Sequence, residues 1–221
     1  RRWASFSEWI DVTFGPGLRA VFMEPYNLKV WAWPLEQLDA AWVGERVAVP
    51  DLGRIRENIA RARLDCSWGP NNRFRFPRVG GTGSIWRNMA AMLPADRLHF
   101  SAEARAINAG RRRLTLADGR TVDYDVLISS IPLDTLLAMT GDAPRNGGRF
   151  LSSASNIFSV GLRGAPPEAL RKKCWMYYPE PEYPFYRVTV FSNYSPRNVP
   201  GEGYWSLMAE VADSPHRPVD H

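Results

Sequence analysis

The sequence predicts a mixed fold, α+β with α/β character, in which a helical segment, a β-meander and an antiparallel sheet follow one another. Three observations predict it. Apolar residues recur at i, i+3, i+4 spacings through much of the stretch from about 4 to 95. Between about 97 and 131 the period falls to two. From about 150 to 212, four strand-like runs are joined by Pro-rich turns. The expected domains are 1–95, mostly helical with a Gly-rich loop; 96–148, a meander and a return strand; and 149–221, an antiparallel sheet domain that is incomplete.

In the first zone, Phe6, Trp9 and Ile10, and then Val21 and Phe22, fall on or near one helical face. Leu35, Leu38, Ala41 and Trp42 repeat the spacing, and Asp51 is placed to cap a helix carrying Ile55 and Ile59. Ser67 to Gly83 is dense in Pro, Asn and Gly and reads as loop, followed by a short helix from Ser84 to Leu93 that Pro94 ends. In the second zone, Ala104, Ala106, Leu114 and Leu116 alternate around the turn Asn108-Ala109-Gly110. Asp118-Gly119 makes the next turn, and Val126-Leu127-Ile128 reads as an apolar closing strand. In the third, the strand candidates are 154–162, 174–178, 185–191 and 203–211, and the polar tail after Asp213 holds no further element.

Composition narrows the class. Of 221 residues, 45% are hydrophobic and 23% charged, with 17 Gly and 18 Pro, which suits a packed globular chain rather than a disordered or fibrous one. The longest uncharged stretch, Phe150 to Leu162, is too short and too rich in Ser to span a bilayer, so no membrane association is expected. Arg1-Arg2-Trp3 is followed by no apolar run of the secretory kind. Cys66 and Cys174 are far apart, and His99, His216 and His221 have no ligand spacing, so a reducing, cytoplasmic setting without a metal site is expected. The net charge of +5 rests almost wholly on Arg, only Lys29, Lys172 and Lys173 being Lys. Those Arg residues are scattered except for Arg111-Arg112-Arg113, which reads as a solvated turn, so nucleic acid is not the expected partner. A phosphate-bearing small ligand explains a few Arg residues equally well.

Four motifs carry possible chemistry. Gly15-Pro16-Gly17-Leu18-Arg19-Ala20 matches a dinucleotide fingerprint in letters, but an amphipathic helix rather than a buried strand precedes it, so a helix-to-helix turn is expected. Gly80-Gly81-Thr82-Gly83 opens a helix, and is either a ligand-lining turn or a plain one. Tyr26-Asn27-Leu28-Lys29-Val30-Trp31 could stack on and hydrogen-bond to a nucleobase, or be a helix end packed in a core. Arg46 and Arg187 suit a phosphate clamp or ordinary surface. No Ser-His-Asp set and no paired carboxylates stand out, so any chemistry belongs to a cofactor.

Several blocks together resemble the UDP-galactopyranose mutase family of the eukaryotic type, within the flavin amine oxidase-like superfamily. They are Phe22-Met23-Glu24-Pro25-Tyr26-Asn27-Leu28-Lys29-Val30-Trp31-Ala32, Trp42-Val43-Gly44-Glu45-Arg46-Val47-Ala48 and Trp68-Gly69-Pro70-Asn71. Phe74-Arg75-Phe76-Pro77 with Gly80-Gly81-Thr82-Gly83 follows, then Lys173-Cys174-Trp175-Met176-Tyr177, Pro184-Phe185-Tyr186-Arg187 and Phe191-Ser192-Asn193-Tyr194-Ser195-Pro196. The resemblance implies part of a FAD-binding GR2-type fold, and an isomerase that interconverts UDP-galactopyranose and UDP-galactofuranose through an adduct between flavin N5 and the sugar. The FAD must be reduced, NAD(P)H is a candidate reductant, and a homo-oligomer of the complete enzyme is an open alternative. Carried over by position, Phe22, Tyr26, Asn27 and Trp31 face the uridine, and Arg46, Arg187 and Tyr177 face the pyrophosphate. Asn71 lies near the galactose, Gly80, Gly81, Thr82 and Gly83 line the flavin, and Ala104 touches the adenine part of FAD. No catalytic side chain is implied within the chain itself. The family's GxGxxG fingerprint and further substrate tyrosines are not among these residues, so the chain is expected to be an internal fragment that is inactive alone. Three rivals remain: another FAD oxidoreductase of the amine oxidase or protoporphyrinogen oxidase type, a non-catalytic nucleotide-sugar-binding homologue and, third, a nucleic-acid-binding module, which a shallow salt dependence of any RNA binding would exclude.

Overall fold

The computed structural model describes residues 3–64, 73–142 and 150–219. They form two compact units, one of residues 1–85 with 153–221 and one of 86–152.

The first unit begins with α1, Phe6–Leu18. Ser5 caps it by accepting from the Glu8 amide at 3.2 Å, and the Glu8 carboxylate takes the Ala4 amide at 2.6 Å. The helix kinks at Gly15, whose φ of 75° no side-chain-bearing residue adopts cheaply. The Gly15-Pro16-Gly17 motif is therefore a turn between helical segments, as expected. A π-helical turn, Arg19–Met23, leads into α2, Glu24–Trp31, which opens on Pro25 and ends on Ala32 in the left-handed region. Arg19 staples this junction. It bonds Asp11, Glu24 at 2.8 Å and the Ser7 hydroxyl at 3.0 Å, and its bonds to Glu24 and Asp11 raise its pKa. Phe6, Trp9, Ile10, Met23, Leu35, Ala40 and Val43 form the core beneath these helices, and Phe22, Trp31 and Trp42 pack on it.

The helical spacing of Leu35 to Trp42 yields only a short 3-10 turn, Leu35–Gln37. The Asp39 side chain accepts the Ala41 amide at 2.8 Å, a local turn that competes with helix. Helix α3, Leu52–Ala60, starts where expected, with Asp51 accepting the Arg54 amide at 3.0 Å. Helix α4, Gly83–Ala91, follows the Gly-rich turn.

The sheet of this unit contains β4 (Ala154–Arg163), β5 (Trp175–Tyr177), β6 (Arg187–Val190) and β7 (Tyr204–Asp213) in the antiparallel order β4-β7-β6-β5. All four strand candidates are thus present. The pairing sets Arg187 opposite Glu210 and Tyr177 opposite Arg187. A second cluster joins α2 to this sheet, with Ala32, Tyr186 and Ala212 buried against Tyr26 and Val30. Lys29 strengthens the joint, its ammonium donating to the carbonyls of Tyr178 at 2.6 Å and Glu180 at 3.0 Å.

The second unit holds the meander β1 (Ala104–Asn108), β2 (Arg113–Leu116) and β3 (Thr121–Asp123), with α5, Leu133–Thr140. Val126-Leu127-Ile128 is not a strand. A strand exists by pairing, and no described strand lies beside this run, which leaves Ile128 92% exposed. Among the described residues, no helix is long and apolar enough to cross a membrane.

Candidate functional site

The site grows from the junction of α2 with the sheet. Phe22 and Tyr26 stand one helical turn apart, and their rings stack at 5.0 Å and 8°. Tyr177, from β5, meets Tyr26 edge-on at 5.3 Å, and Tyr186 meets it at 6.4 Å. Arg187, next along from Tyr186, lies within electrostatic reach of Tyr26, with its guanidinium 5.9 Å from the Tyr186 ring centroid. The structure thus brings Phe22, Tyr26, Tyr177 and Arg187 into one corner, with a stacking face, a phenol and a cation.

Burial sets the chemistry of the phenols. It pushes Tyr26 far above the ordinary value and raises Tyr177 as well, so both stay protonated and able to donate at neutral pH. Tyr177 is still 46% exposed, so its ring is open to a ligand. Burial works against the charge of Arg187, but its bonds to Glu210 outweigh that and raise its pKa. Nε donates to Glu210 Oε1 and Nη2 to Oε2, both at 2.7 Å, and the Tyr186 hydroxyl donates to Oε2 at 2.9 Å. This side-on pair occupies one edge of the guanidinium. Its Nη1 has no hydrogen bond among the described residues.

The other expected residues fall at varying distances from this corner. Asn27 is buried, and its amide donates back to the Met23 carbonyl at 2.7 Å. Trp31 packs on Trp42 at 4.9 Å and 62°, and its buried indole N–H has no hydrogen-bond partner among the described residues. Arg46 is exposed and donates to the Trp42 carbonyl at 3.3 Å, so it sits beside the Trp31–Trp42 pair rather than against Arg187. Asn71 lies outside the described residues.

Gly80 and Gly81 both have positive φ, 78° and 61°, in the turn that opens α4. The Ser84 hydroxyl and amide both donate to the Gly81 carbonyl, at 2.7 and 3.1 Å, and the Ile85 amide to that of Thr82 at 3.1 Å, which pins Thr82 and Gly83 at the helix start. Two adjacent left-handed positions without Cβ let a flat ligand approach the backbone, and this fits the part of a flavin site expected here. The turn is tied to the sheet. Phe76 lies 3.9 Å from where a Cβ on Gly81 would be and packs on Tyr194 at 5.1 Å, while Phe74 packs on Trp175 at 4.9 Å. The Ser195 hydroxyl donates to the Arg78 carbonyl. Ala104 sits in the second unit, in β1 opposite Leu116, at a register shift between Ala104 and Ala106.

Sequence reasoning missed Glu210, Tyr186 and the structural importance of Lys29. One signal could have found Glu210. It is a lone carboxylate in the apolar run Ala209 to Ala212, and a charge in such a strand needs a partner. No group of three or more His, Cys, Asp or Glu residues able to hold a metal occurs among the described residues.

Comparison with solved structures gives two informative matches. A crystal structure of reduced UDP-galactopyranose mutase superposes with a TM-score of 0.91 and 45% sequence identity, covering 100% of this chain and 49% of that one. The chain therefore spans about half the length of that protein. A Pyrococcus furiosus protein studied as a structural genomics target matches with a TM-score of 0.62 over 96% of this chain and 50% of its own. At 15% identity it speaks only to the fold. The mixed helix and antiparallel-sheet architecture is thus that of the mutase structure, as the resemblance implied. The profile of flavin containing amine oxidoreductases matches residues 5–197, nearly the whole chain, and the expected flavin is that family's cofactor. The chain belongs to the flavin containing amine oxidoreductase family.

Proposed function

We propose that this chain is the substrate-binding part of a UDP-galactopyranose mutase, an isomerase that interconverts UDP-galactopyranose and UDP-galactofuranose. The observation that carries the reading is the corner formed by Phe22, Tyr26, Tyr177 and Arg187. It offers an aromatic face for a base, a protonated phenol and a fixed cation for a diphosphate, and an amine substrate gives no reason for that set. The 45% identity to a mutase supports the same reading.

In this proposal the uracil lies against the Phe22–Tyr26 stack. The Trp31 indole N–H, unpartnered among the described residues, is a donor that a carbonyl oxygen of the base would satisfy. Arg187 turns its Nη1 edge to the phosphates, and Tyr177 donates its hydroxyl beside it. Arg46 closes on the diphosphate from the Trp42 side, and Asn71 serves the galactose. The Gly80–Gly83 turn would hold the flavin near the sugar. Reduced FAD, when bound, would supply a nucleophile that displaces UDP from the anomeric carbon and is itself displaced when UDP returns, with no net redox change. The protein's own task is to bind, to orient and to keep the phosphates neutralised while the sugar ring reopens and recloses. A cytoplasmic setting with NAD(P)H as reductant suits a flavin that must stay reduced.

The test uses the full-length protein to which this chain belongs, flavin-loaded, under anaerobic conditions, reduced with dithionite and given UDP-galactofuranose. Formation of UDP-galactopyranose, lost when the flavin is left oxidised, is the expected result. No interconversion in that assay, together with amine-dependent oxygen uptake by the oxidised protein in a parallel aerobic assay without dithionite, overturns the proposal in favour of an oxidase.

A further inference from the structure

We infer that Glu210 is a positioning residue for the diphosphate, acting through Arg187 by fixing the direction of its guanidinium. This rests on the reading that Arg187 contacts the diphosphate. The observations are geometric. Arg187 on β6 and Glu210 on β7 are directly opposed in the strand register. Both carboxylate oxygens are engaged by Arg187, at 2.7 Å each, and Oε2 also accepts the Tyr186 hydroxyl at 2.9 Å. The Tyr186 amide bonds the Glu210 carbonyl at 3.0 Å, so the backbones of the two residues are locked together as well. Glu210 is only 5% exposed, whereas the Arg187 side chain is 34% exposed, so the pair has a buried end and an open end.

A free Arg side chain samples many rotamers, and a ligand that recruits it must freeze them. Here the side-on pair has already frozen them. It uses Nε and one N–H of Nη2, which leaves Nη1 and the second Nη2 N–H at the open end. Those are the donors that reach two oxygens of one phosphate. Glu210 also has an opposing effect, since its negative charge cancels that of Arg187 and repels a diphosphate at longer range. The two effects predict opposite signs on its removal. If orientation dominates, losing the carboxylate weakens diphosphate binding; if charge dominates, losing it tightens binding. The short bidentate geometry and the burial of Glu210 favour orientation.

The experiment titrates UDP into the full-length, flavin-loaded protein and compares wild type with Glu210→Gln, Glu210→Asp, Arg187→Ala and the double variant Arg187→Ala/Glu210→Gln. Glu210→Gln keeps the volume and one acceptor but loses the two-pronged grip, and should weaken UDP about tenfold, the effect of one lost charge-assisted contact. Glu210→Asp keeps the charge but withdraws it by one methylene, and should weaken UDP by several-fold. In the double variant the Gln substitution should add no further weakening beyond Arg187→Ala. A purely structural role would weaken UDP in that background too, and that result overturns the inference. Unchanged or tighter UDP binding by Glu210→Gln, with Arg187→Ala still weakened, also overturns it while leaving the proposed function standing. Should Arg187→Ala bind UDP as wild type does, the reading of the diphosphate site itself fails.

Discussion

Lys29 is the test of how the site corner is held in place. Its ammonium is buried among α2 and the segment after β5, donating to the Tyr178 carbonyl at 2.6 Å and the Glu180 carbonyl at 3.0 Å. Burial, and then the nearby Arg217, lower its pKa, yet charged or neutral it keeps both donors. Replacing Lys29 with Met keeps the stem and removes the head. Each hydrogen bond from a charged donor is worth about 1.5–3 kcal/mol. The Glu180 residue is exposed, so water can take over its carbonyl, whereas Tyr178 is half-buried. The desolvated ammonium is itself costly, which offsets part of the loss. The net expectation is a destabilisation of about 2–3 kcal/mol. Urea unfolding followed by tryptophan fluorescence reads it as a lower midpoint with an unchanged slope. Because Tyr177 precedes Tyr178 directly and meets Tyr26 at 5.3 Å, UDP affinity should fall as well. A loss of stability under about 0.5 kcal/mol, the range of ordinary surface changes, would refute the claim that Lys29 fastens α2 to the sheet.

Gly81→Ala puts a Cβ at a φ of 61°, which should cost about 1–2 kcal/mol of stability and lower flavin affinity; unchanged flavin retention on dialysis would argue against the turn's role. Burial raises the pKa of Tyr26, Tyr177, Tyr178, Tyr186 and Tyr194. Their contribution to stability is full below the ordinary tyrosine value of about 10 and is lost as pH rises above it. The lowered Lys29 has the opposite slope, stability rising with pH up to its unfolded value, but it is one group against five. The urea midpoint should therefore fall between about pH 10 and 11, with tyrosinate absorbance appearing together with unfolding; a flat midpoint contradicts the assignment. Arg46→Ala should cost about 1 kcal/mol of UDP binding against about 2–4 for Arg187→Ala, because the exposed Arg46 must be ordered on binding and Arg187 is already fixed. Equal losses in calorimetry would show that the prior fixing of Arg187 contributes nothing.

Local signals were legible where a residue's own chemistry dictates structure. Asp51 capping α3, the Gly15 kink and the strands of the last zone follow from side-chain or backbone constraints that act within a few residues. The Val126-Leu127-Ile128 run was misread because apolar alternation announces a strand without saying whether a partner is there to pair with it. Leu35 to Trp42 was misread because Asp39 offers the backbone a turn that spacing alone does not register. At the site, the aromatic helix Phe22 to Trp31 and Arg187 were visible as types able to bind a nucleotide. Their assembly was not visible, since it depends on Tyr177, Arg187 and Glu210 sharing a register across three strands. Arg46 and Arg187, equal as letters, differ physically: one is exposed and bonds the Trp42 carbonyl at 3.3 Å, the other is clamped by a buried carboxylate.

The central claim is that the corner of Phe22, Tyr26, Tyr177 and Arg187 recognises a nucleoside diphosphate. Calorimetric titration of the full-length, flavin-loaded protein with uridine, UMP and UDP tests it most directly. The account predicts that each ligand binds more tightly than the one before. UDP should exceed uridine by at least about tenfold, the value of one charge-assisted contact, and Arg187→Ala should remove most of that gain while leaving uridine affinity unchanged. Equal affinities along the series, or a phosphate gain undiminished by Arg187→Ala, would contradict it.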